Sequence, residues 1–278
     1  MKIDAHQHFW RYSASDYGWI DDTMQALRRD FQVADLAPSL ASAGIEGTVA
    51  VQARQSLIET DWLLSLASAH PLIKGVVGWV PLREQGSSVG ATLDRYTRHP
   101  AFKGVRHVLQ GEADTYMADD AFNAGLREVT ARGLTYDLLV LARQLPATEE
   151  LVARHPEQSF VLDHIAKPVV QGPPPAEWCK HIRALARHPR VFCKFSGVVT
   201  EVPGREWTSE LLRPYFEVVL EAFGPHRLMF GSDWPVCLVA SDYLRWHRFV
   251  EACTANLTPA ERAAILGGNA TAFYKLAA

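Results

Sequence analysis

MKIDAHQHFW, residues 1–10, is the stretch that decides the fold, because it reads as a short strand that ends in two histidines. Side chains two positions apart in a strand point to the same side, so Asp4, His6 and His8 are predicted to share one face. If Lys2–Phe9 is a barrel strand, that face lines the inside of the barrel and the two imidazoles lie near its mouth. Two converging imidazoles either bind a divalent metal or donate hydrogen bonds to a carbonyl.

Short β-branched stretches alternate with longer amphipathic stretches along the rest of the chain. This alternation is typical of βαβ units, in which helices connect parallel strands. The predicted strands are Lys2–Phe9, Gly47–Ala53, Lys74–Leu82, Phe102–Leu109, Leu134–Val140, Ser159–His164, Val191–Gly197 and Leu228–Asp233. The predicted helices include Glu59–Ala69, Gly90–Arg98, Asp119–Arg132, Leu145–Arg154, Glu177–Ala186 and Glu210–Phe223, with Asp119 or Asp120 and Thr208 as N-caps. Eight strands are what a closed (β/α)8 TIM barrel requires, and no GxGxxG motif follows the first strand to favour an open doubly wound sheet.

Length and composition predict one globular domain over residues 1–278, since barrels of roughly 250 residues often form a single domain. The hydrophobic fraction is 48% and the mean hydropathy is −0.07, so a sizeable core can be buried. The net charge of −3 predicts neither a nucleic-acid partner nor an anionic membrane surface. No apolar run reaches the ~18 residues of a membrane span, and the first ten residues lack the apolar core of a signal peptide. The four cysteines form no CxxC pair, so a cytoplasmic location is expected, while the oligomeric state is left open.

A long insertion follows the first strand. Roughly forty residues separate His8 from the second strand, more than a plain βα loop needs. The insertion is rich in aromatic residues, namely Trp10, Tyr12, Tyr17 and Trp19. In a barrel this loop lies at the mouth, where it forms either a lid with a stacking wall for substrate or a packed surface excursion.

The last strand ends in a carboxylate. LMFGSDWPV, residues 228–236, runs from an apolar stretch to Asp233, and Pro235 stops the strand from continuing. The eighth strand of a closed barrel pairs with the first, so Asp233 is predicted to face His6 and His8. A carboxylate beside imidazoles can bind metal or act as a general base on water.

Further polar side chains lie at other predicted strand ends. Buried cations in a strand are costly unless they are paired or face a wet cavity, which places Arg106 and Lys194 near the mouth. Gln52 suits the recognition of hydroxyl groups because it both donates and accepts hydrogen bonds. The predicted substrate-binding residues are Gln52, Arg106, His107, Lys194 and Trp234.

Four motifs together resemble a known family. They are the HxH of the first strand, DHIAKP at residues 163–168, GSDWPV at residues 231–236 and GGNATAFYKL at residues 267–276. This combination, spread over nearly the whole chain, is similar to the lactonases of the amidohydrolase superfamily, which include hydrolases of L-fucono- and L-rhamnonolactone and of 2-pyrone-4,6-dicarboxylate lactone. The resemblance implies a TIM barrel of the amidohydrolase type, with His6, His8, His164 and Asp233 in the active site.

The sequence departs from the binuclear members of that superfamily. Those enzymes carry a bridging carboxylated Lys or a Glu on the fourth strand and His on both the fifth and sixth strands. Here the fourth strand offers Arg106 and His107, and the fifth offers Tyr136 and Asp137, so no binuclear centre is expected. We predict no strictly required cofactor, with one divalent ion such as zinc as the alternative. Its ligands would be His6, His8, His164 and Asp233.

The predicted reaction is hydrolysis of a small sugar lactone, such as L-fucono- or L-rhamnonolactone, to the sugar acid. Asp233 acts as general base on water, while His6, His8 and His164 stabilise the oxyanion. Gln52, His107, Tyr136, Asp137 and the Trp residues favour a neutral polyol over a carboxylated lactone of the pyrone dicarboxylate type, which remains an alternative. A metal-dependent decarboxylase of the same fold is the second alternative, and a non-catalytic sugar-binding barrel is the third.

Overall fold

Eight parallel strands form one sheet in the computed structural model, which describes residues 1–84 and 88–277. The strands are β1 Ile3–Gln7, β2 Gly47–Val51, β3 Ile73–Gly78, β4 Phe102–His107, β5 Thr135–Leu138, β6 Phe160–Leu162, β7 Val191–Phe195 and β8 Leu228–Phe230. Each strand pairs in parallel with the next along the chain. Each of the eight predicted strands overlaps one of these, so the predicted (β/α)8 TIM barrel is confirmed.

The sheet closes through the residues that follow β1 and β8. Gln7 forms a parallel bridge with Trp234. The backbone N–H of His8 donates to the carbonyl oxygen of Trp234 at 2.7 Å, and that of Asp233 donates to the carbonyl oxygen of His6 at 2.8 Å. The closure therefore brings together the two motifs that lie at opposite ends of the sequence.

Helices cover the outside of the barrel. They are α1 Val33–Ala43, α2 Leu57–Ala69, α3 Ser88–Thr97, α4 Asp120–Ala131, α5 Leu145–Arg154, α6 Ala176–Ala186, α7 Ser209–Phe223, α8 Tyr243–Cys253, α9 Pro259–Ala263 and α10 Asn269–Phe273. Asp119 and Thr208 cap α4 and α7 as predicted, by accepting from the backbone N–H groups of Phe122 and Leu211. Among the described helices, none has both the length and the apolar character that a membrane crossing requires.

The predicted insertion contains a barrel helix. α1 ends in a left-handed Gly44 and supplies the ordinary crossover between β1 and β2. The part of the insertion that a plain βα connection does not need is therefore the segment before α1, in which the buried rings of Trp10 and Phe31 pack against each other.

The lower half of the barrel interior is apolar and is closed by the C-terminal segment. Side chains from several strands form this plug with the end of the chain: Ile3, Ala5, Val49, Val51, Val77, Val161, Met229, Phe273, Tyr274 and Leu276. The Asn269 side chain donates to the carbonyl oxygens of Pro225 and Leu228 at 2.8 and 2.7 Å, which fixes the segment to β8. The apolar plug therefore fills one end of the barrel and leaves the other end for polar residues.

The prediction that Asp4 shares a face with His6 and His8 is wrong. The register of β1 against β2 shifts between Asp4 and Gln7, which is the signature of a β-bulge and reverses the alternation of side chains. Asp4 instead accepts from the backbone N–H of Ser232 at 2.9 Å and from the hydroxyl of Tyr243, on α8, at 3.1 Å. It fastens α8 and the end of β8 to β1.

Candidate active site

A cavity of about 410 Å³ opens at the carboxyl ends of the strands, where TIM barrels carry their active sites. Its lining comes from most of the loops that follow the strands: His8, Trp19, Met24, Ala53, Arg106, Val108, Gln110, Leu139, His164, Lys167, Thr200, Glu201, Arg205, Asp233 and Val236. Four of the predicted site residues, His8, Arg106, His164 and Asp233, are among them. His6 is fully buried and lies directly beneath.

Three imidazoles surround one carboxylate at the floor of this cavity. Oδ1 of Asp233 lies 3.3 Å from Nε2 of His8 and 3.8 Å from Nε2 of both His6 and His164. The Nε2 atoms of His6 and His8 are 3.2 Å apart. The predicted grouping of His6, His8, His164 and Asp233 therefore exists as one cluster.

The other ring nitrogen of each histidine has its own partner, which fixes the ring. Nδ1 of His8 lies 2.8 Å from the carbonyl oxygen of Val51, and because a carbonyl only accepts, this nitrogen carries the proton. The other ring nitrogen of His8, Nε2, points to the centre of the cluster. Nδ1 of His6 lies 3.3 Å from Oδ1 of Asp163, and Nδ1 of His164 lies 2.9 Å from the hydroxyl of Ser196.

An unusual turn places His164. The sequence predicted a strand continuing to His164, but β6 ends at Leu162 and four successive non-glycine residues, from His164 to Lys167, have φ between 49° and 62°. Each such residue costs on the order of 1–3 kcal/mol, so a turn of this kind persists only where its surroundings hold it. The indole N–H of Trp178 donates to the carbonyl oxygen of Ile165 at 2.8 Å and anchors the turn.

The protonation states fit a carboxylate that lies beside two neutral imidazoles, those of His6 and His164. Burial raises the pKa of Asp233, but the imidazoles of His164, His8 and His6 outweigh it and hold the pKa below its ordinary value. Burial lowers the pKa of His164 to about 4 and that of His6 well below its usual range. At neutral pH the cluster therefore contains an ionised Asp233 beside the uncharged imidazoles of His6 and His164.

A buried charge network supports the cluster from below. Asp163 lies 3.1 Å from Nη1 of Arg106 and 3.1 Å from Nζ of Lys194. Lys194 also lies 2.5 Å from Oδ2 of Asp137, which accepts from the Tyr274 hydroxyl at 2.8 Å. Because each cation is matched by a carboxylate, this network can remain charged inside the barrel.

The structure brings some predicted substrate-binding residues to the cavity and places others outside its lining. Arg106 lines it, whereas Gln52 is buried behind Arg106, accepting from and donating to that residue at 3.4 and 3.2 Å. Lys194 is buried in the network below. His107 alternates with Arg106 along β4, so it faces outward, stacks on Tyr116 and accepts from the Trp79 indole at 3.2 Å.

Trp234, Tyr136 and Asp137 also lie outside the cavity lining. Trp234 is 3% exposed and packs edge-on against Phe9 and Phe31, beneath the loop that follows β1. Tyr136 packs against Phe122 and Phe160, between the barrel and its helices. Asp137 is hydrogen-bonded to Lys194 and Tyr274 in the network below the cluster. Because of these positions, neither Tyr136 nor Asp137 reaches the cavity to bind a polyol.

The sequence allowed the loop after β1 to be either a wall for the substrate or a packed surface excursion, and different parts of the loop are each of these. Trp10 and Tyr17 are buried and pack against each other with ring centroids 5.6 Å apart. Trp19 is 41% exposed and, with Met24, contributes to the cavity lining. The loop is thus a packed excursion whose outer part supplies one apolar wall of the cavity.

The cluster also suits a metal ion. A tetrahedral zinc with bonds of about 2.0–2.1 Å separates its ligand atoms by roughly 3.3 Å. The distances of 3.2 and 3.3 Å from Nε2 of His8 to its two neighbours match that separation. His6, His8 and Asp233 form one candidate ligand group, and His6, Asp163 and His164 form another. The two groups share His6.

Sequence reasoning missed several residues of the site. Asp163 precedes His164 in the DHIAKP motif, so a signal existed, but no role was predicted for it. Four lining residues carried no signal of their own, because they lie in loops whose path only the fold determines: Gln110, Thr200, Glu201 and Arg205.

Comparisons with known proteins agree on one family. The model of the amidohydrolase family matches residues 3–276. The L-fucono-1,5-lactonase of Burkholderia multivorans is 41% identical over 288 residues, covering 99% of this chain and 96% of that protein. Its counterpart in Burkholderia ambifaria is 39% identical over 283 residues, with the same coverage of both.

A solved structure shows the same likeness. A crystal structure of an amidohydrolase from Burkholderia multivorans with bound zinc superposes with a TM-score of 0.94, at 40% identity and over 100% of both chains. The resemblance seen in the four sequence motifs is therefore confirmed, and the chain belongs to the amidohydrolase family.

Proposed function

We propose that the protein hydrolyses a small neutral sugar lactone, an aldonolactone of the L-fucono type, to the sugar acid. The observation that carries the proposal is the Asp233 carboxylate ringed by three imidazoles at the floor of a cavity. The curated L-fucono-1,5-lactonases to which the chain is 41% and 39% identical support the substrate class.

In the proposed reaction Asp233 takes a proton from a water molecule, whose oxygen forms a bond to the lactone carbonyl carbon. The carbon–oxygen bond to the ring oxygen then breaks, and the protonated Asp233 returns the proton to that oxygen. The product is the open-chain sugar acid, so atoms and charge balance without a further reactant.

Arg106 and His164 are the groups best suited to stabilise the oxyanion. The guanidinium of Arg106 lines the cavity and carries a positive charge. When the Ser196 hydroxyl donates to Nδ1 of His164, Nε2 carries a proton that can be donated to the oxyanion. Nδ1 of His8 donates to the carbonyl oxygen of Val51, so we assign His6 and His8 to binding a cation together with Asp233.

We further propose one divalent ion at this site, held by His6, His8 and Asp233 with His164 adjacent. Such an ion supplies Lewis-acid polarisation of a carbonyl and a lower pKa for water. The convergence of Nε2 of His6 and Oδ1 of Asp233 on Nε2 of His8 supports this assignment, because separations of 3.2 and 3.3 Å suit neighbouring ligand atoms of one ion. The metal-dependent alternative is therefore favoured over a site without a cofactor.

A panel of lactones assayed by proton release tests the function. We expect turnover of neutral aldonolactones, little on pyrone dicarboxylate lactone, and no carbon dioxide from dihydroxybenzoates. Exhaustive chelation should lower the rate at least tenfold, and added zinc should restore it. Activity confined to the dicarboxylate, or release of carbon dioxide, would overturn the proposal.

A further inference from the structure

An ion pair of Lys167 and Glu201 forms part of the cavity wall, above the histidine cluster. Nζ of Lys167 lies 3.2 Å from Oε1 of Glu201, and the two side chains are 22% and 18% exposed. Both residues line the cavity, and neither belongs to the cluster around Asp233. The pair is therefore placed to meet the part of a substrate that does not react.

Backbone hydrogen bonds fix the positions of Lys167 and Glu201 relative to each other. Lys167 is the last residue of the left-handed turn after β6, and its N–H donates to the carbonyl oxygen of His164 at 2.8 Å. The N–H of Val170 donates to the carbonyl oxygen of Glu201 at 3.0 Å, joining the loop after β6 to the turn after β7. The Thr200 hydroxyl donates to Oε1 of Glu201 at 3.1 Å. The pair is thus a fixed feature of the wall.

Of the three Arg and Lys side chains in the described cavity lining, two are paired with a carboxylate and the third donates to neutral oxygen atoms. Arg106 pairs with Asp163, and Lys167 pairs with Glu201. Arg205 donates to the backbone oxygen of Thr23 and, at 2.7 Å, to its hydroxyl. A substrate carboxylate would therefore have to break one of these contacts or lie beside the negative charge of Glu201.

The Lys167–Glu201 ion pair can still form hydrogen bonds with hydroxyl groups. An ammonium group has three donors and a carboxylate accepts about four hydrogen bonds, so the contact between them leaves donors and acceptors side by side. Neighbouring hydroxyls of a sugar both donate and accept, which suits such a pair, whereas a carboxylate only accepts and is repelled by Glu201.

We propose that Lys167 and Glu201 determine specificity by selecting lactones that bear hydroxyls and rejecting those that bear a carboxylate. This inference rests on the proposed lactonase function and names the residues that set its substrate class. Removal of the charge on Glu201 leaves Lys167 as a free cation at the mouth, which then attracts an anionic substrate.

The test is Glu201→Gln, measured with two ligands on the zinc-supplemented protein. The KM for L-fucono-1,5-lactone should rise, and the competitive inhibition constant of an aldarolactone, which carries a carboxylate, should fall. We expect the ratio of the two constants to shift about tenfold, with kcat for the neutral lactone changed much less. Glu177→Gln is the matched control, since it neutralises an exposed Glu that also lies 3.2 Å from a lysine, Lys180, and should leave the ratio unchanged.

The charge-swapped variant Lys167→Glu/Glu201→Lys keeps a pair and should return the ratio toward that of the wild type. If Glu201→Gln weakens both ligands equally, or the ratio stays constant in a folded variant, the pair has no role in specificity. Failure of the wild type to hydrolyse any lactone would instead refute the proposed function itself, so the two failures are distinguishable.

Discussion

At the scale of single residues, the site depends on backbone conformations that most side chains avoid. His164 and Asp233 both have positive φ, of 52° and 56°. Gly197 lies directly against both, since a Cβ atom there would be 2.6 Å from Nδ1 of His164 and 2.8 Å from Oδ2 of Asp233. Its own φ of 64° is also one that glycine accepts most readily. The absence of a side chain at this position is therefore a condition for the cluster.

Gly197→Ala should impair catalysis more than stability. The added methyl group displaces His164 or Asp233, and small displacements of reacting groups cost about 100-fold in kcat. Gly204→Ala is the matched control, because Gly204 has φ of 73° and a methyl group added to its Cα would meet no other atom within 4 Å. The positive φ should cost both variants about 1 kcal/mol in unfolding free energy, and Gly197→Ala should lose more because its methyl group also displaces buried side chains. Equal kcat values for the two variants would contradict this account of Gly197.

At the scale of the elements, the strands followed from sequence periodicity, but the exact directions of their side chains did not. The alternation of apolar stretches predicted β1 to β8 because parallel strands buried on both faces are β-branched and short. The bulge in β1 reversed the direction of Asp4, and the left-handed turn after β6 redirected His164. Both features arise from tertiary contacts, which periodicity within one segment does not encode.

Part of the site could be predicted from the order of the strands. His6, His8 and Asp233 were predictable because β1 and β8 are neighbours in any closed barrel. The place of Glu201 in the cavity wall could not be predicted, since its loop follows a path set by packing. His107 was predicted to bind substrate, but it directly follows Arg106 in β4, and neighbouring residues of a strand point to opposite faces.

Glu59, in the first turn of α2, gives a prediction at this scale. Its carboxylate accepts from the backbone N–H groups of Ala53 and Arg54 at 3.0 and 2.9 Å, and so fixes the loop after β2. Burial raises its pKa to about 7 although these N–H groups oppose the shift. A carboxyl group with a raised pKa in the folded state stabilises at low pH, and this contribution is lost as pH rises from about 4.5 through about 7.

The isosteric Glu59→Gln variant should therefore depend less on pH than the wild type. We expect the fall in unfolding free energy between pH 5 and pH 8 to be smaller by on the order of 2 kcal/mol, measured by urea denaturation at both values. Glu221→Gln, which removes an exposed acid paired with Arg183, should retain the pH dependence of the wild type. An unchanged dependence in Glu59→Gln would show that Glu59 is ionised throughout this range.

At the scale of the whole molecule, the barrel separates a stabilising end from a reactive end. The C-terminal segment closes the lower interior with apolar side chains, and Tyr274 joins that plug to Asp137 in the charge network. Above the network lies the cluster, where residues 225 or more positions apart in the sequence meet through the closure of β1 against β8. This arrangement lets the fold hold an ionised carboxylate beside buried imidazoles beneath an open cavity.

The turnover of Asp233→Asn on the best lactone tests the central claim most directly. Asparagine keeps the size of the side chain but cannot take a proton from water, so kcat should fall by about 1,000-fold. The assay is run with saturating zinc, and thermal unfolding and zinc content are measured on the same sample. A folded, zinc-loaded Asp233→Asn protein that turns over lactone at the wild-type rate would contradict the account.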